Sequence, residues 1–280
     1  MPRHLEVHFL PTLVEPERLQ GTTAVIIDQL RASTTICHAL AQGAKQVLAC
    51  VEVETVRQVA SQWQEKNPDQ PKPLLGGERQ GIRIEGFDLG NSPPDYRPKV
   101  VKGRTIIFST TNGTRAMQQV VQAKEVFIGC LSNLAACVKA IQSAEEIHLL
   151  CAGVSGVIAR EDIVPAGWMV DALLRIDPDC ILNDEAIMAQ DIFRQTDCLP
   201  LLESSPTAEN LTLDQQRTLT ERLTSVLKNT LGGRNLTRQG FESDLWVCAQ
   251  ASSLNLVPRL TTFNEPFTIE LLPPLPKSFS

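Results

Sequence analysis

Short apolar runs alternating with amphipathic stretches set the rhythm of the first half of this chain. Runs at residues 6–9, 24–27, 46–49, 105–109, 125–128 and 146–151 have the length and the aliphatic or β-branched content of buried strands. Between several of them apolar positions recur at helical spacing, as at 34–42, 53–66 and 115–123. This βαβ punctuation predicts an α/β fold, a largely parallel or mixed sheet with helices on both faces. The second half changes period. Residues 165–175, 184–196, 214–230 and 242–252 read as helices, with Gly232-Gly233 closing the third in the manner of a C-cap. A last strand is expected at 267–271, followed by a proline-rich tail along the surface to Ser280. No linker-like composition separates the halves, so 1–280 reads as one unit, with lobes 1–155 and 156–280 as the alternative.

Two strand ends carry unusual polar clusters. The run ending at Ile27 passes into Asp28, then Arg31, then Ser33, Thr34 and Thr35 at a helix start. In open α/β sheets ligands bind beyond the carboxyl ends of the strands, so a carboxylate, a guanidinium and hydroxyls there suit a polar, anionic ligand. An ordinary helix cap with an ion pair is the plainer reading of the same residues. The strand ending at Ser109 runs likewise into Thr110, Thr111, Asn112, Gly113 and Thr114. There a glycine free to take positive φ and unpaired helix-start N–H groups would cradle phosphate, sulfonate or carboxylate. Proline-rich loops at 67–73 and 86–98, with the segment between them, add Gly76-Gly77-Glu78-Arg79 and Gly90-Asn91-Ser92-Pro93-Pro94. Long loops in a compact domain are usually functional or disordered, and glycine pairs beside an acid and a base favour function.

Composition narrows the partners. A hydrophobic share of 42%, a net charge of −6 and a pI near 5.3 describe an ordinary soluble globule and argue against a nucleic-acid surface, so any anion must be held by local groups. The N-terminus lacks an apolar signal core and no apolar stretch reaches spanning length, which sets the expectation of a cytoplasmic protein without a membrane partner. Eight cysteines read mostly as core thiols, there is no Cys-x-x-Cys, and the four histidines (His4, His8, His38, His148) are not spaced as zinc ligands on one helix, so no zinc site is expected. Cys151 stands before Gly153 at a strand end, but the arginine a phosphatase Cys loop needs six positions on is Val157. The apolar second-half helices offer a face for a homodimer.

Acids in loops after strands (Asp28, Glu78, Glu161, Asp162, Asp184), joined by Arg31 and Arg79 and by no histidine, suit a hard cation such as Mg²⁺ with arginine holding a phosphate. That combination supports phosphoryl transfer or phosphate-ester hydrolysis, by an activated water or an attacking carboxylate. The P-loop, dinucleotide and esterase-elbow signatures are absent. Leu30 stands where a haloacid-dehalogenase-type phosphatase has its second aspartate. Glu161-Asp162 and Asp184-Glu185 also serve as plain helix caps.

Taken together, Ile27 to Thr35 (IDQLRASTT), Gly77-Glu78-Arg79, Phe87 to Pro93 (FDLGNSP), Ser109 to Thr114 (STTNGT), Cys151-Ala152-Gly153 with Glu161-Asp162, Gly240-Phe241, Asp244-Leu245, Cys248-Ala249 and Val257-Pro258 resemble the 2-phosphosulfolactate phosphatase family of coenzyme M biosynthesis. The resemblance spans nearly the whole chain. It implies a family-specific α/β fold and Mg²⁺-dependent hydrolysis of (2R)-2-phospho-3-sulfolactate to (R)-3-sulfolactate and phosphate, the substrate being a small molecule with three anionic groups. On that basis Asp28, Arg31 and Glu78 are the expected catalytic residues, and Asp28 and Glu78 with Asp162 the expected Mg²⁺ ligands. Arg31 with Ser33, Thr34 and Thr35 would take the phosphate. Arg79 and residues 110–114 would take the sulfonate or carboxylate, with Asn91 and Ser92 also on the substrate. Another phosphorylated hydroxy acid, or metabolite binding without hydrolysis, is the alternative.

Overall fold

The computed structural model describes residues 3–110 and 112–271. Thr111 and the expected surface tail beyond Leu271 therefore lie outside the described residues. Eleven strands among these residues form one mixed sheet: β1 (His4–His8), β2 (Thr23–Ile27), β3 (Gln46–Cys50), β4 (Leu74–Arg79), β5 (Ile82–Arg83), β6 (Thr105–Ser109), β7 (Glu125–Gly129), β8 (Glu146–Cys151), β9 (Ile181–Leu182), β10 (Pro258–Leu260) and β11 (Phe267–Leu271). Their order is β5-β4-β6-β3-β11-β10-β7-β2-β8-β1-β9. The helices are α1 (Ala32–Ala41), α2 (Val53–Lys66), α3 (Pro98–Val101), α4 (Gly113–Gln119), α5 (Leu134–Ile141), α6 (Arg160–Ile176), α7 (Asp184–Arg194), α8 (Leu213–Lys228), α9 (Leu231–Arg238) and α10 (Glu242–Cys248).

The sheet has two parallel arms joined by a late hairpin. β4, β6 and β3 run parallel in one arm, and β7, β2, β8, β1 and β9 in the other, while β10 and β11 fill the middle with antiparallel pairings to β7 and β3. Three antiparallel steps reverse the strand direction from β7 to β3. Residues following β2, β4, β6 and β8 nonetheless meet around one cavity.

Alternation along the central strands assigns each face. Ala24 and Ile26 of β2, Val126 and Ile128 of β7, Val47 and Ala49 of β3, and Ile106 and Phe108 of β6 pack with α1 and α4 in an inner core. Val25, Ile27, Ile147 and Leu149 point the other way, onto α5 to α10. Leu48, Cys50 and Ile107 meet Val56 and Trp63 of α2 in a third cluster. A strand buried on both faces reads as a continuous apolar run, which is why β2 and β6 were legible in the sequence.

Three elements depart from expectation. β4 contains Gly76 and Gly77, which weaken a strand pattern; a Cβ on Gly77 (φ +143°) would lie 2.2 Å from Ser109 O, so glycine allows β4 its close approach to β6. α6 begins at Arg160 rather than at Pro165, which lies inside the helix, so Glu161 and Asp162 occupy its first turn. Gly232-Gly233 does not close α8. It opens α9, where Thr230 Oγ1 caps the Gly233 N–H at 3.1 Å, and a Cβ on Gly233 would lie 1.9 Å from Leu227 O. Of the eight cysteines, all free, Cys180 is half-buried and the others are buried. Burial pushes the Cys151 thiol well up, which suits a core residue and not a nucleophile.

Candidate active site

The loop after β2 is built from its own hydroxyls. Ser33 Oγ accepts the Asp28 N–H at 2.9 Å and the Ser33 N–H returns to Asp28 O at 2.9 Å. Thr34 Oγ1 donates to Gln29 O at 2.9 Å, and Thr35 Oγ1 to Asn91 O at 3.2 Å. Ser33, Thr34 and Thr35 are thus engaged in shaping the turn and do not line the cavity. Gln29, fully buried, fixes the same turn from beneath: its Nε2 donates to Cys248 O at 2.7 Å and its Oε1 accepts the Leu131 N–H at 2.8 Å. Asp162 uses both oxygens on backbone, taking the Gln29 N–H at 2.8 Å and the Gly153 N–H at 2.9 Å, and so ties the loops after β2 and β8 together.

What this turn presents is Asp28, 5% exposed, with Oδ1 accepting the Ala32 N–H at 3.1 Å and Oδ2 lying beside Gly113. Burial pushes its carboxyl up to about 7, against the pull of the Ala32 N–H, and the charges of Glu78 and Glu161 add to the rise. Burial, with Asp28 and Glu161 close by, holds Asp162 well above the carboxylate range too.

Glu78 is the penultimate residue of β4, after which Gln80 (φ 55°) and Gly81 (φ 82°) make a two-residue turn into β5 of the kind that needs positive φ at both positions. The Gly81 N–H donates to Glu78 Oε2 at 2.5 Å, and Gln239 Nε2 donates to Gln80 O at 2.8 Å, docking the turn on the end of α9. Glu161, 1% exposed, accepts the Gly232 N–H on Oε1 at 2.7 Å, while its Oε2 has no partner. Asn91, on the cavity wall, has an equally unpartnered Oδ1.

Two arginines face these acids. Arg31 is buried, with NH1 on Asp244 Oδ2 at 2.5 Å, NH2 on Gly81 O at 3.2 Å and its guanidinium 4.5 Å from the Phe241 ring centre. Ser92 Oγ donates to the other Asp244 oxygen at 2.9 Å, so Ser92 supports Arg31 from outside the cavity lining. Arg79 donates to Glu78 O, Val51 O and Ser109 Oγ at 2.8–3.1 Å. An arginine has five N–H donors, so both keep donors for a ligand.

The cavity, about 610 Å³, is lined by Asp28, Arg31, Glu78, Arg79, Asn91, Thr110 and Asn112 among the residues expected from sequence. Asn235 and Leu236 of α9, Gln239 just beyond it and the Val154-Ser155 turn add to the wall. Thr114 Oγ1 donates to Thr110 O at 2.6 Å within the turn, and Gly113 stands behind Asp28. Asp244, Asn235 and Gln239 were not identified from sequence, and Glu161 was named among the acids suited to a cation but given no place in the ligand set. Asp244 lay in a motif that carried the family resemblance without a role attached to it.

The donor set is oxygen only, and acids outnumber arginines. Among the described residues no three of the site's acids bring their oxygens within 4.8 Å of one another. An oxygen-only donor set suits a cation that takes one or two carboxylates and keeps its waters, and Glu161 Oε2 and Asn91 Oδ1 are buried acceptors without a partner among the described residues.

The cavity lies at the carboxyl ends of strands in a mixed α/β sheet. A model of the 2-phosphosulpholactate phosphatase family matches residues 8–218. Relatives named probable 2-phosphosulfolactate phosphatase occur in Symbiobacterium thermophilum (37% identity, 88% of this chain and 94% of the relative), in Caldanaerobacter subterraneus subsp. tengcongensis (35%, 86% and 89%) and in Prochlorococcus marinus (39%, 64% and 74%). The chain belongs to the 2-phosphosulfolactate phosphatase family, and with it to the phosphoric monoester hydrolases.

Proposed function

We propose that this enzyme hydrolyses (2R)-2-phospho-3-sulfolactate to (R)-3-sulfolactate and phosphate, with Mg²⁺ as cofactor, in the cytoplasm and in the service of coenzyme M synthesis. The observation that carries the reading is the cavity itself, where Asp28, held near neutrality, faces Glu78, Arg31 and Arg79. Asp28 and Glu78 would hold a hydrated Mg²⁺, whose waters would satisfy the free oxygen of Glu161, while Asp162 fixes the two loops from behind through Gln29 and Gly153. When bound, Mg²⁺ would neutralise phosphate charge and acidify a water.

The chain's own residues do the rest. Asp28, in its ionised form, would orient the attacking water. Arg31, braced by Asp244 and Phe241, and Arg79 present N–H forks to the phosphate oxygens, where charge develops in the transition state. Asn112, Asn235 of α9 and Gln239 just beyond it supply neutral donors for the carboxylate and sulfonate, with Thr110 beside them. Free thiols and an acidic balance suit a reducing, cytoplasmic setting, and no described helix is long and apolar enough to cross a membrane. Exposed Ile181, Ile187 and Met188 on β9 and α7 are the face we assign to a homodimer, which sedimentation would detect.

Phosphate release from 2-phosphosulfolactate, phospholactate and an aryl phosphate, each with Mg²⁺ and with chelator, tests the reading. Metal-dependent release preferring the sulfonated substrate is the expected result. Preference for phospholactate would transfer the activity to another hydroxy acid, and tight binding without release would make this a metabolite-binding protein.

A further inference from the structure

At the sheet edge far from β4, the face that carries the inner core elsewhere turns polar. β1 and β8 are in parallel register with Glu6 opposite His148, and Leu5 and Val7, like Ile147 and Leu149, point to the helical layer. Glu6, His8, Glu146 and His148 therefore share the opposite face, where the 3-10 turn Pro16–Leu19 carries Arg18 over them. His8 is 4% exposed and His148 fully buried.

Three donor atoms converge there. His8 Nε2 lies 2.9 Å from His148 Nδ1, and Glu6 Oε2 lies 3.8 Å from the first and 3.7 Å from the second. The 2.9 Å contact is an N–H···N hydrogen bond between the two imidazoles, so a cation would displace the shared proton and the side chains would turn to bring their ligand atoms to about 2.0–2.2 Å from it. The surroundings are those of metal ligands. His148 Nε2 faces Glu146 Oε1 at 3.4 Å, the carboxylate partner that leaves Nδ1 as the lone-pair nitrogen. Arg18 bonds Glu6 through Oε1, the oxygen turned away from the histidines, and also bonds Glu146, so it orients both carboxylates without occupying the triangle.

We propose that Glu6, His8 and His148 form a binding site for a borderline divalent transition-metal ion, of which zinc is the type, separate from the oxygen-only acid cavity. Three protein ligands on two neighbouring strands leave a fourth position for water, and the ion would clamp β1 to β8.

The untagged full-length protein, held in excess Mg²⁺, is titrated with Co²⁺ as a spectroscopic stand-in. Intense visible bands of tetrahedral Co²⁺ at one equivalent, bleached by Zn²⁺, together with a Zn²⁺-dependent rise in Tm, are expected. Both should vanish in His8→Gln and in Glu6→Gln and persist in Asp28→Asn, which separates this site from the catalytic acids. If the single variants fail to fold, Arg18→Ala provides a surface test, leaving the three ligands in place and retaining the bands with altered affinity. Absence of tetrahedral bands in the folded wild type, or bands undiminished in His8→Gln, would overturn the proposal and leave a hydrogen-bonded histidine pair only.

Discussion

Asp28 concentrates the chemistry in one carboxyl group whose burial and acidic neighbours oppose its charge. In the metal-free protein its neutral form contributes stability that is fully present below the unfolded pKa of 3.8 and lost as pH rises through about 7. Asp28→Asn keeps the shape and removes the charge. Phosphate release by that variant should fall by on the order of a hundredfold to ten-thousandfold. Its metal-free form should exceed wild type in stability at pH 8 and not at pH 4, by a few kcal/mol at most; denaturation at the two pH values reads the sign directly. Asp244 makes a second residue-scale case. Asp244→Ala would strand the Arg31 guanidinium in a buried setting, at a cost of about 3–5 kcal/mol, and should raise KM for substrate through a misplaced phosphate fork. An unchanged KM in a folded variant would remove Arg31 from the phosphate subsite. Asp28, Arg31, Glu78 and Arg79 could be read from sequence because each follows a recognisable strand or glycine pair. Asp244 could not, since its role depends on a fold contact with a residue 213 positions away. His8 and His148 escaped for a related reason: a search for ligands on one helix does not see two strands in register.

Strands buried on both faces announced themselves, and the elements that complete the cavity did not. β4 was obscured by Gly76-Gly77, which the close approach to β6 requires, and α9 by a glycine pair that also fits a helix end. In α9 the glycines serve contact: a Cβ on Gly232 would lie 2.1 Å from Glu161 Oε1, the oxygen its own N–H bonds at 2.7 Å. Gly232→Ala must therefore push α9 away from α6, costing about 1–3 kcal/mol as overpacking, and should lower activity because Asn235 and Gln239 move with the helix. Gly21→Ala is the matched control. Gly21 has φ +76°, but a methyl group there would meet no atom within 4 Å, so strain at this position should reduce Tm and leave phosphate release intact. Equal loss of activity in both variants would mean that general destabilisation, and not the placement of α9, explains the effect.

On the scale of the whole molecule, the late hairpin β10–β11 binds two parallel arms into one sheet, and helices from the second half of the chain pack on strands from the first. Acids from both arms are thereby held around a common cavity: Asp28 from β2 in one, Glu78 from β4 in the other, with Glu161 supplied by α6. Their mutual repulsion is a cost of the closed arrangement, and a bound divalent cation should offset it. Because Mg²⁺ requires the ionised carboxylates and competes with the proton that Asp28 binds up to about pH 7, its stabilising effect should be small at pH 5.5 and grow through pH 8. The metal-free protein loses Asp28's contribution over the same interval, so the two melting curves should diverge with rising pH. Scanning calorimetry with and without Mg²⁺ at half-unit steps measures that divergence. Asp28→Asn should flatten its pH dependence, whereas a Mg²⁺ shift constant from pH 5.5 to 8.5 would place the ion away from these acids.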